Sequence, residues 1–196
     1  MATSVTARPA RRGEILEAAL RCFTRSGYAR ASIEDVVRES GASVGSIYHH
    51  FGGKEQLAAA LYVEGLAGYQ RGFVTTLEHD HANAEEAVKA VVAHHLRWVE
   101  ANPELARFLL SSREAEVVEA SRAALGELNR DVFAATRLWL GRWRGALREM
   151  PFGLLHPVLI GPSQEFARHW LAGRVRESID EAEPVLAEAA WKAVRA

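Results

Sequence analysis

The sequence predicts an all-α protein, with a small N-terminal domain of three helices and a larger C-terminal helical domain. Apolar residues recur every three or four positions along most of the 196 residues, which is the spacing of one face of an α-helix. The periodic stretches are bounded by glycine, proline, asparagine and serine, which cap or interrupt helices. No alternating strand pattern is visible, and no repeat of about 20–50 residues. These observations together define the fold class.

The first predicted helix runs from about residue 11 to Ser26. Ile15, Ala19 and Phe23 form its apolar stripe, and Gly27 ends it because glycine adopts the left-handed conformation at little cost. Residues 1–10 precede this helix as a predicted flexible, basic arm.

Residues 32–57 carry the most informative pattern in the chain. They predict two short helices joined by a tight turn, followed by the start of a third helix. Ser32 suits the N-cap of the first helix, and Asp35 completes a pattern similar to a capping box. Gly41 ends this helix. The turn between the two short helices therefore follows directly at residue 41.

Ser43 is the predicted cap of the second short helix, in which Ile47 and Phe51 stand four residues apart and face inward. A helix this short is not stable alone, so neighbouring helices have to hold it in place. Its outer face is then left for a partner. The small and hydroxyl side chains at its N-terminal end suit entry into a DNA major groove.

The rest of the chain predicts six further helices. The first begins after Gly53, and its glycines at 65, 68 and 72 predict bending or close packing. Residues 79–84 are a predicted loop in which Asn83 caps the next helix. The remaining helices are predicted at about 84–101, 103–111, 115–148, 156–174 and 180–195, with a kink expected at Gly161-Pro162.

Composition describes an ordinary soluble globular protein, with 48% hydrophobic and 25% charged residues. The net charge is -1, but residues 1–55 carry two more basic than acidic residues, and the remainder carries three more acidic ones. The single cysteine, Cys22, excludes an intramolecular disulfide and is predicted to be a core residue. Without a secretory signal or an apolar run of ~20 residues, no membrane association is expected and the expected compartment is the cytoplasm.

The stretch from Ala42 to Leu57, ASVGSIYHHFGGKEQL, resembles the helix-turn-helix signature of TetR/AcrR (tetracycline-repressor-type) transcriptional regulators. The similarity covers about residues 10–60, and the remainder is similar only in its helical layout. Gly52-Gly53 departs from the family pattern and predicts a looser turn there. The residues that carry the resemblance are Gly41, Ser43, Gly45, Ile47, Tyr48, His50, Phe51, Lys54 and Leu57.

The resemblance implies a helix-turn-helix DNA-binding domain at 11–57 and a helical effector-binding and dimerisation domain at 58–196. Tyr48, His50 and Lys54 can donate to phosphate oxygens, although Tyr48 could instead pack in the core and Lys54 could be a solvated charge. Val44, Gly45 and Ser46 are the candidates for reading bases. The full predicted set of DNA-binding residues is Ser32, Ser43, Val44, Gly45, Ser46, Tyr48, His49, His50 and Lys54. The basic arm could also reach DNA, or act only as a solubilising tail.

Aromatic residues are abundant in the C-terminal part, and aromatic stripes at helical spacing are usually core. Five tryptophans nevertheless exceed the usual need of such a domain, and the resemblance implies an effector cavity between the middle helices. The candidate pocket residues are His95, Trp98, Phe108, Arg113, Phe133 and Arg137. The resemblance also implies that the last two helices pair in a homodimer. The candidate dimer residues are Phe166, Trp170, Leu186 and Trp191.

Metal, cofactor and catalytic sites are not predicted. The adjacent histidine pairs point about 100° apart on a helix, and the sequence has no phosphate-binding loop, HExxH or GxSxG motif. The sequence therefore predicts no enzyme but a repressor that binds a palindromic DNA operator as a homodimer and is released by a small molecule. The alternative is a helical small-molecule-binding or scaffold protein whose N-terminal domain does not bind DNA.

Overall fold

The computed structural model describes the backbone of residues 7–111 and 115–196 and the side chains of 11–110 and 116–196. These residues form nine α-helices and confirm the all-α fold. In chain order the helices are α1 (Ala7–Ser26), α2 (Ile33–Ser40), α3 (Val44–Phe51), α4 (Lys54–Glu78), α5 (Ala84–Ala101), α6 (Pro103–Ser111), α7 (Ala115–Arg142), α8 (Phe152–Leu171) and α9 (Ile179–Val194).

Two compact units make up the chain, one of residues 1–66 with 104–126 and the other of 67–103 with 127–196. The first unit is therefore larger than the predicted domain at 11–57, because it also contains α6 and the beginning of α7. Helix α1 begins at Ala7 instead of residue 11. Residues 7–10 of the predicted arm are thus helical, and residues 1–6 lie outside the described part of the chain.

The core of the first unit is built on the predicted apolar stripe of α1. Ile15 and Phe23 are buried, and the Phe23 ring stacks on Phe108 of α6 with 5.9 Å between the ring centroids. Cys22 is 1% exposed, as predicted, and burial raises the pKa of its thiol. A Cβ added to Gly65 of α4 would lie 2.7 Å from a methyl carbon of Leu105, so α4 and α6 pack closely there.

The core of the second unit is organised around α5, which packs against α8 and α9. Val88, Val91 and Val92 of α5 are fully buried, as their spacing predicted. At the rim of this packing, Lys89 forms an ion pair with Glu188 of α9 at 2.8 Å. Burial of this apolar face is the main source of stability for the unit.

Helix α7 ends at Arg142, six residues before the predicted end, because the following segment pairs with the C-terminus. Gly145 has a φ of 85°, the N–H of Arg148 donates to the carbonyl of Val194 at 2.8 Å, and the N–H of Ala196 donates to that of Ala146 at 3.0 Å. Pro151 then occupies the N-cap position of α8, which begins earlier than predicted. Within the described ranges, no helix is both long and apolar enough to cross a membrane.

Candidate nucleic-acid interface

Helix α2 is fixed at both ends by the predicted caps. The Ser32 hydroxyl accepts the N–H of Asp35 at 3.1 Å, and the Asp35 carboxylate accepts the N–H and O–H of Ser32 at 2.9 and 2.8 Å. These bonds from Ser32 lower the pKa of the Asp35 carboxyl. Gly41 has a φ of 62° and donates to the carbonyl of Val37. Because the Ser32 hydroxyl belongs to the capping box, any DNA phosphate would have to share it.

Helix α3 is held to the first unit from its inner side. Ile47 is 0% exposed and Phe51 is 8% exposed, as the spacing predicted. The Ser43 hydroxyl accepts the N–H of Ser46 at 3.1 Å, and Gly52, with a φ of 83°, ends the helix. This eight-residue helix therefore has two buried anchors and a defined cap at each end.

The opposite face of α3 is open to solvent. Val44 is 45% exposed and Tyr48 is 53% exposed, and they stand four residues apart on the same side of the helix. Of the other predicted DNA-binding residues on this helix, Gly45 and His49 are exposed, and Ser46 and His50 are half-buried. Tyr48 is therefore not a core residue. Val44, Gly45, Tyr48 and His49 are thus exposed on a helix that Ile47 and Phe51 anchor.

The ammonium group of Lys54 is held at the N-terminus of α4. Its Nζ donates to the carbonyl of Ala29 at 3.3 Å and lies 4.4 Å from the ring centroid of Tyr28. Lys54 is thus not a freely solvated charge. An ammonium has three N–H donors and the carbonyl accepts one, so the group can also donate to an external anion at this helix N-terminus.

Arg11 fixes the turn between α2 and α3, a role that sequence reasoning did not predict. Its guanidinium donates to the carbonyls of Gly41 at 2.6 Å and Ser40 at 3.3 Å. These carbonyls belong to the last residue of α2 and its C-cap, where backbone acceptors have no helical partner. Its partners lie about 30 residues away in the chain, so no local pattern could have indicated the contact.

The second unit contains a cavity of about 250 Å³ between α4, α7 and α8. Most of its wall is aliphatic or aromatic, and the polar lining residues include Gln70, whose amide donates to the side-chain carbonyl of Asn129 at 2.9 Å. The lining residues are Gln70, Phe73, Leu77, Asn129, Val132, Phe133, Thr136, Trp139, Phe152, Leu155, His156, Leu159 and Ile160. Of the five predicted pocket residues whose side chains are described, Phe133 alone belongs to this wall.

Three other predicted pocket residues are found elsewhere or are not described. Phe108 is 3% exposed in the core of the first unit, where it packs on Phe23 and Tyr62. Arg137 is exposed, with its guanidinium carbon 5.8 Å from the ring centroid of Phe152. Arg113 lies outside the described residues. An effector role for these residues stays a prediction.

His95 and Trp98 meet around Tyr69 in the second unit. The Tyr69 hydroxyl oxygen lies 3.2 Å from Nδ1 of His95, and the Trp98 ring meets the Tyr69 ring edge-on at 5.2 Å. Burial, with smaller contributions from His156 and His94, lowers the pKa of His95 to about 4. His95 is therefore neutral at pH 7 and belongs to a buried polar cluster.

The four predicted dimer residues lie on α8 and α9, packed against the core of the second unit and still partly exposed. They are Phe166, Trp170, Leu186 and Trp191. Val185, beside Leu186 in α9, is 68% exposed. These helices therefore present apolar surface to solvent after covering the core beneath them.

Comparison with known proteins identifies the N-terminal segment. A family model described as "Bacterial regulatory proteins, tetR family" matches residues 15–61. The HTH-type transcriptional repressor AcnR of Corynebacterium diphtheriae is 32% identical over 157 residues, which cover 76% of this chain and 75% of that protein. AcnR of Corynebacterium efficiens is 48% identical over 56 residues, 29% of this chain, and the match spans only 30% of the length of that relative.

Solved structures share the fold along nearly the whole chain. One tetR-family transcription regulator from Shewanella sp. PV-4 aligns with a TM-score of 0.76 and 21% identity, over 95% of this chain and 98% of that chain. The regulator FadR from Bacillus subtilis, solved in complex with stearoyl-CoA, aligns with a TM-score of 0.73 and 17% identity, over 92% and 98%. With the fold, the anchored α3 and the extended similarity to AcnR, the chain belongs to the TetR family of bacterial regulatory proteins.

Proposed function

We propose that this protein is a transcriptional repressor that binds a palindromic operator as a homodimer and leaves it when a small molecule binds the second unit. The observation that carries this proposal is the geometry of α3. Buried Ile47 and Phe51 anchor the helix, and its first turns present Val44 and Tyr48 to solvent. An anchored helix with an open N-terminal half matches the way helix-turn-helix proteins enter the major groove.

The exposed residues of α3 have distinct proposed roles. Val44 can contact a thymine methyl group, Ser46 can exchange one hydrogen bond with a base edge, and Gly45 permits close approach of the backbone. Tyr48 and Lys54 have donors suited to phosphate oxygens, which set the position of the protein on DNA. Ser32, Ser43, His49 and His50 complete the proposed contact surface.

A mobility-shift titration against the upstream region of the gene, repeated at several salt concentrations, tests DNA binding and the phosphate contacts. Tyr48→Phe and Lys54→Ala should weaken binding to every sequence, and each lost phosphate contact should reduce the slope of log K against log salt by about 0.9. Arg122→Ala is the matched control, because it removes one exposed positive charge on α7, outside the proposed DNA and dimer surfaces. A slope unchanged by Lys54→Ala would remove that residue from the interface.

Base reading is tested by selecting binding sites from random DNA with Val44→Ala and Ser46→Ala. Each variant should relax the preference at one or two base pairs, with a cost of ~1–3 kcal/mol where the lost contact is well packed. Recovery of the parental motif by both variants would contradict the assignment. If the parent itself binds no DNA, the protein is a helical ligand-binding or scaffold protein.

The proposed dimer forms through α8 and α9. One short recognition helix reads few base pairs, so useful specificity requires two half-sites related by the dimer axis. Trp170→Glu combined with Leu186→Glu should give monomers in sedimentation and abolish tight operator binding. Leu138→Glu on α7 is the control, since Leu138 is 75% exposed and outside the proposed interface. A double variant that stays dimeric would refute this assignment.

The proposed effector site is the cavity of the second unit. Helix α4 carries Lys54 at its N-terminus and contributes Gln70 and Phe73 to the cavity wall. A ligand that binds one arrangement of α4 better than another would shift the population away from the form that binds DNA. The similarity to FadR, which was solved with stearoyl-CoA, supports a small-molecule ligand for this fold.

A further inference from the structure

Next to the apolar cavity, the second unit has a separate cleft of about 390 Å³ at the end of α7 and the start of α8. Three arginines line it, Arg137, Arg144 and Arg148, and Glu149 is the one acidic lining residue. All four side chains are exposed. The cleft therefore combines a concave shape with an excess of two positive charges.

These arginines have no carboxylate partners among the described residues. Arg144 and Arg148 make no side-chain hydrogen bond or ion pair within that part of the chain, and the Arg137 guanidinium lies over the ring of Phe152. Arg97 of the same unit, by contrast, pairs with Glu183 at 3.0 Å. Guanidinium groups bind phosphate oxygens in pairs of parallel hydrogen bonds, so three of them around one cleft favour a phosphate-bearing ligand.

Phe152 and Leu155 belong to the walls of both the cleft and the apolar cavity. The Phe152 ring meets Phe133, on the cavity side, edge-on at 5.6 Å, and it lies beneath the Arg137 guanidinium, on the cleft side. The ring is 38% exposed. The apolar cavity and the arginine cleft therefore meet at the Phe152 side chain, which is partly exposed to solvent.

The apolar cavity cannot itself hold a charged group. Among the described residues, no Asp, Glu, Lys or Arg lines it, and burying an unpaired charge in such surroundings is strongly unfavourable. His156 also lines the cavity, and burial lowers the pKa of its imidazole below the ordinary value, which disfavours its charged form. Any charged part of a ligand must therefore lie outside this cavity, and the arginine cleft is adjacent.

We propose that the cavity and the cleft form one binding site for an amphipathic phosphate, with an apolar tail in the cavity and a phosphate-bearing head between Arg137, Arg144 and Arg148. The volume of about 250 Å³ lies just below the ~300–1,000 Å³ of typical ligand pockets, which selects a short chain or a single ring system as the tail. The inference rests on the proposed function only in taking this ligand as the effector that releases DNA.

Calorimetric titration of the full-length protein with octyl phosphate, octanol and inorganic phosphate tests the two-part site. Octyl phosphate should bind about tenfold or more tightly than either fragment, since hydrogen bonds to charged groups add to tail burial. Arg144→Ala with Arg148→Ala should remove that advantage and leave octanol binding unchanged. Arg174→Ala, in the α8–α9 connection, is the matched control and should behave as the parent.

In this titration the inference is overturned by octyl phosphate binding no tighter than octanol, or by equal loss of affinity in the Arg174→Ala control and the double variant. Titrations with octanoyl coenzyme A and with octanoyl lysophosphatidic acid then show whether the phosphate head group belongs to a soluble thioester or to a phospholipid. If neither binds more tightly than octanol, the proposal also fails.

Mobility shifts with the same ligands separate this inference from the proposed function. Release of operator DNA by octyl phosphate, lost in the double variant, supports both. Intact operator binding by a protein that does not bind octyl phosphate overturns the inference and leaves the repressor proposal standing, whereas calorimetric binding without release of the operator overturns the effector role alone. Calorimetric binding of octyl phosphate by a protein that binds no DNA supports the site and overturns the proposed function.

Discussion

His95 provides a quantitative test of the packing of the second unit, because its imidazole is buried in the neutral form. The residue is 6% exposed, its Nδ1 lies 3.2 Å from the Tyr69 hydroxyl, and its Nε2 has no partner among the described residues. Burial is the main reason that its pKa falls from 6.5 to about 4, and the neighbouring His156 and His94 add to the shift. Protonation of His95 therefore favours the unfolded chain.

The sign and size of the effect follow from linkage. Between pH 6.5 and about pH 4 the unfolded chain binds a proton at this position and the folded protein does not. Stability is therefore complete above pH 6.5 and declines as the pH falls through this window. The shift corresponds to about 3 kcal/mol over the whole window, and to about 2 kcal/mol at pH 5, since one pKa unit is worth about 1.4 kcal/mol.

Urea unfolding at about pH 7.5 and pH 5, followed by tryptophan fluorescence, measures this contribution. His95→Gln keeps an acceptor for the Tyr69 hydroxyl and does not titrate, so the parent should lose about 2 kcal/mol more than the variant between the two pH values. His49→Gln, at an exposed position on α3, is the control and should lose as much as the parent. Equal losses for the parent and His95→Gln would refute the reasoning.

Two further predictions concern backbone positions and caps. Gly72→Ala should destabilise the second unit by ~1–3 kcal/mol in urea unfolding, because the new methyl carbon would lie 2.5 Å from the His94 ring, whereas Gly68→Ala, with nothing closer than 3.8 Å, should be neutral or stabilising. Ser32→Ala should cost the first unit ~1 kcal/mol by removing the acceptor for the Asp35 N–H, and an unchanged unfolding midpoint would contradict that role.

The local architecture of the first unit could be predicted from sequence because its determinants are close together in the chain. The capping box of Ser32 and Asp35 spans three residues, and the end of α2 at Gly41 depends on one residue type. Ile47 and Phe51 are one helical turn apart, so their spacing alone indicated a shared buried face. Arg11, whose partners are about 30 residues away, could not be found in this way.

The cavity could not be predicted residue by residue, because helical periodicity shows which face is apolar but not which neighbour that face meets. Phe108 follows the same apolar pattern as Phe133, yet one lies in the first core and the other lines the cavity. Gln70 was missed because an isolated glutamine on a helix gives no sign of burial. Only the fold places its amide beside Asn129.

The end of α7 shows a different limit. Residues 143–148 continue a plausible helical pattern, yet the N–H of Arg148 and the carbonyl of Ala146 form hydrogen bonds to the C-terminal segment. Gly145 adopts a φ of 85°, which a helix does not permit. This departure from the local pattern produces the turn in which Arg144 and Arg148 face the cleft. The error in the predicted helix and the failure to foresee a cationic site therefore have the same cause.

Helix α4 is where the two proposed activities would have to be coupled, and its glycines show how it is held. Gly65 leaves room for Leu105 in the first unit, and Gly72 leaves room for the ring of His94 in the second. Neither glycine position has room for a Cβ atom. Rotation of α4 about its axis would therefore displace Leu105 in the first unit or His94 in the second. A ligand that moves Gln70 in the cavity wall would therefore move α4, which is packed against Leu105 in the first unit and against His94 in the second. Coupling to Lys54 would then take the form of a shift between discrete packed arrangements, since close-packed interiors do not deform continuously.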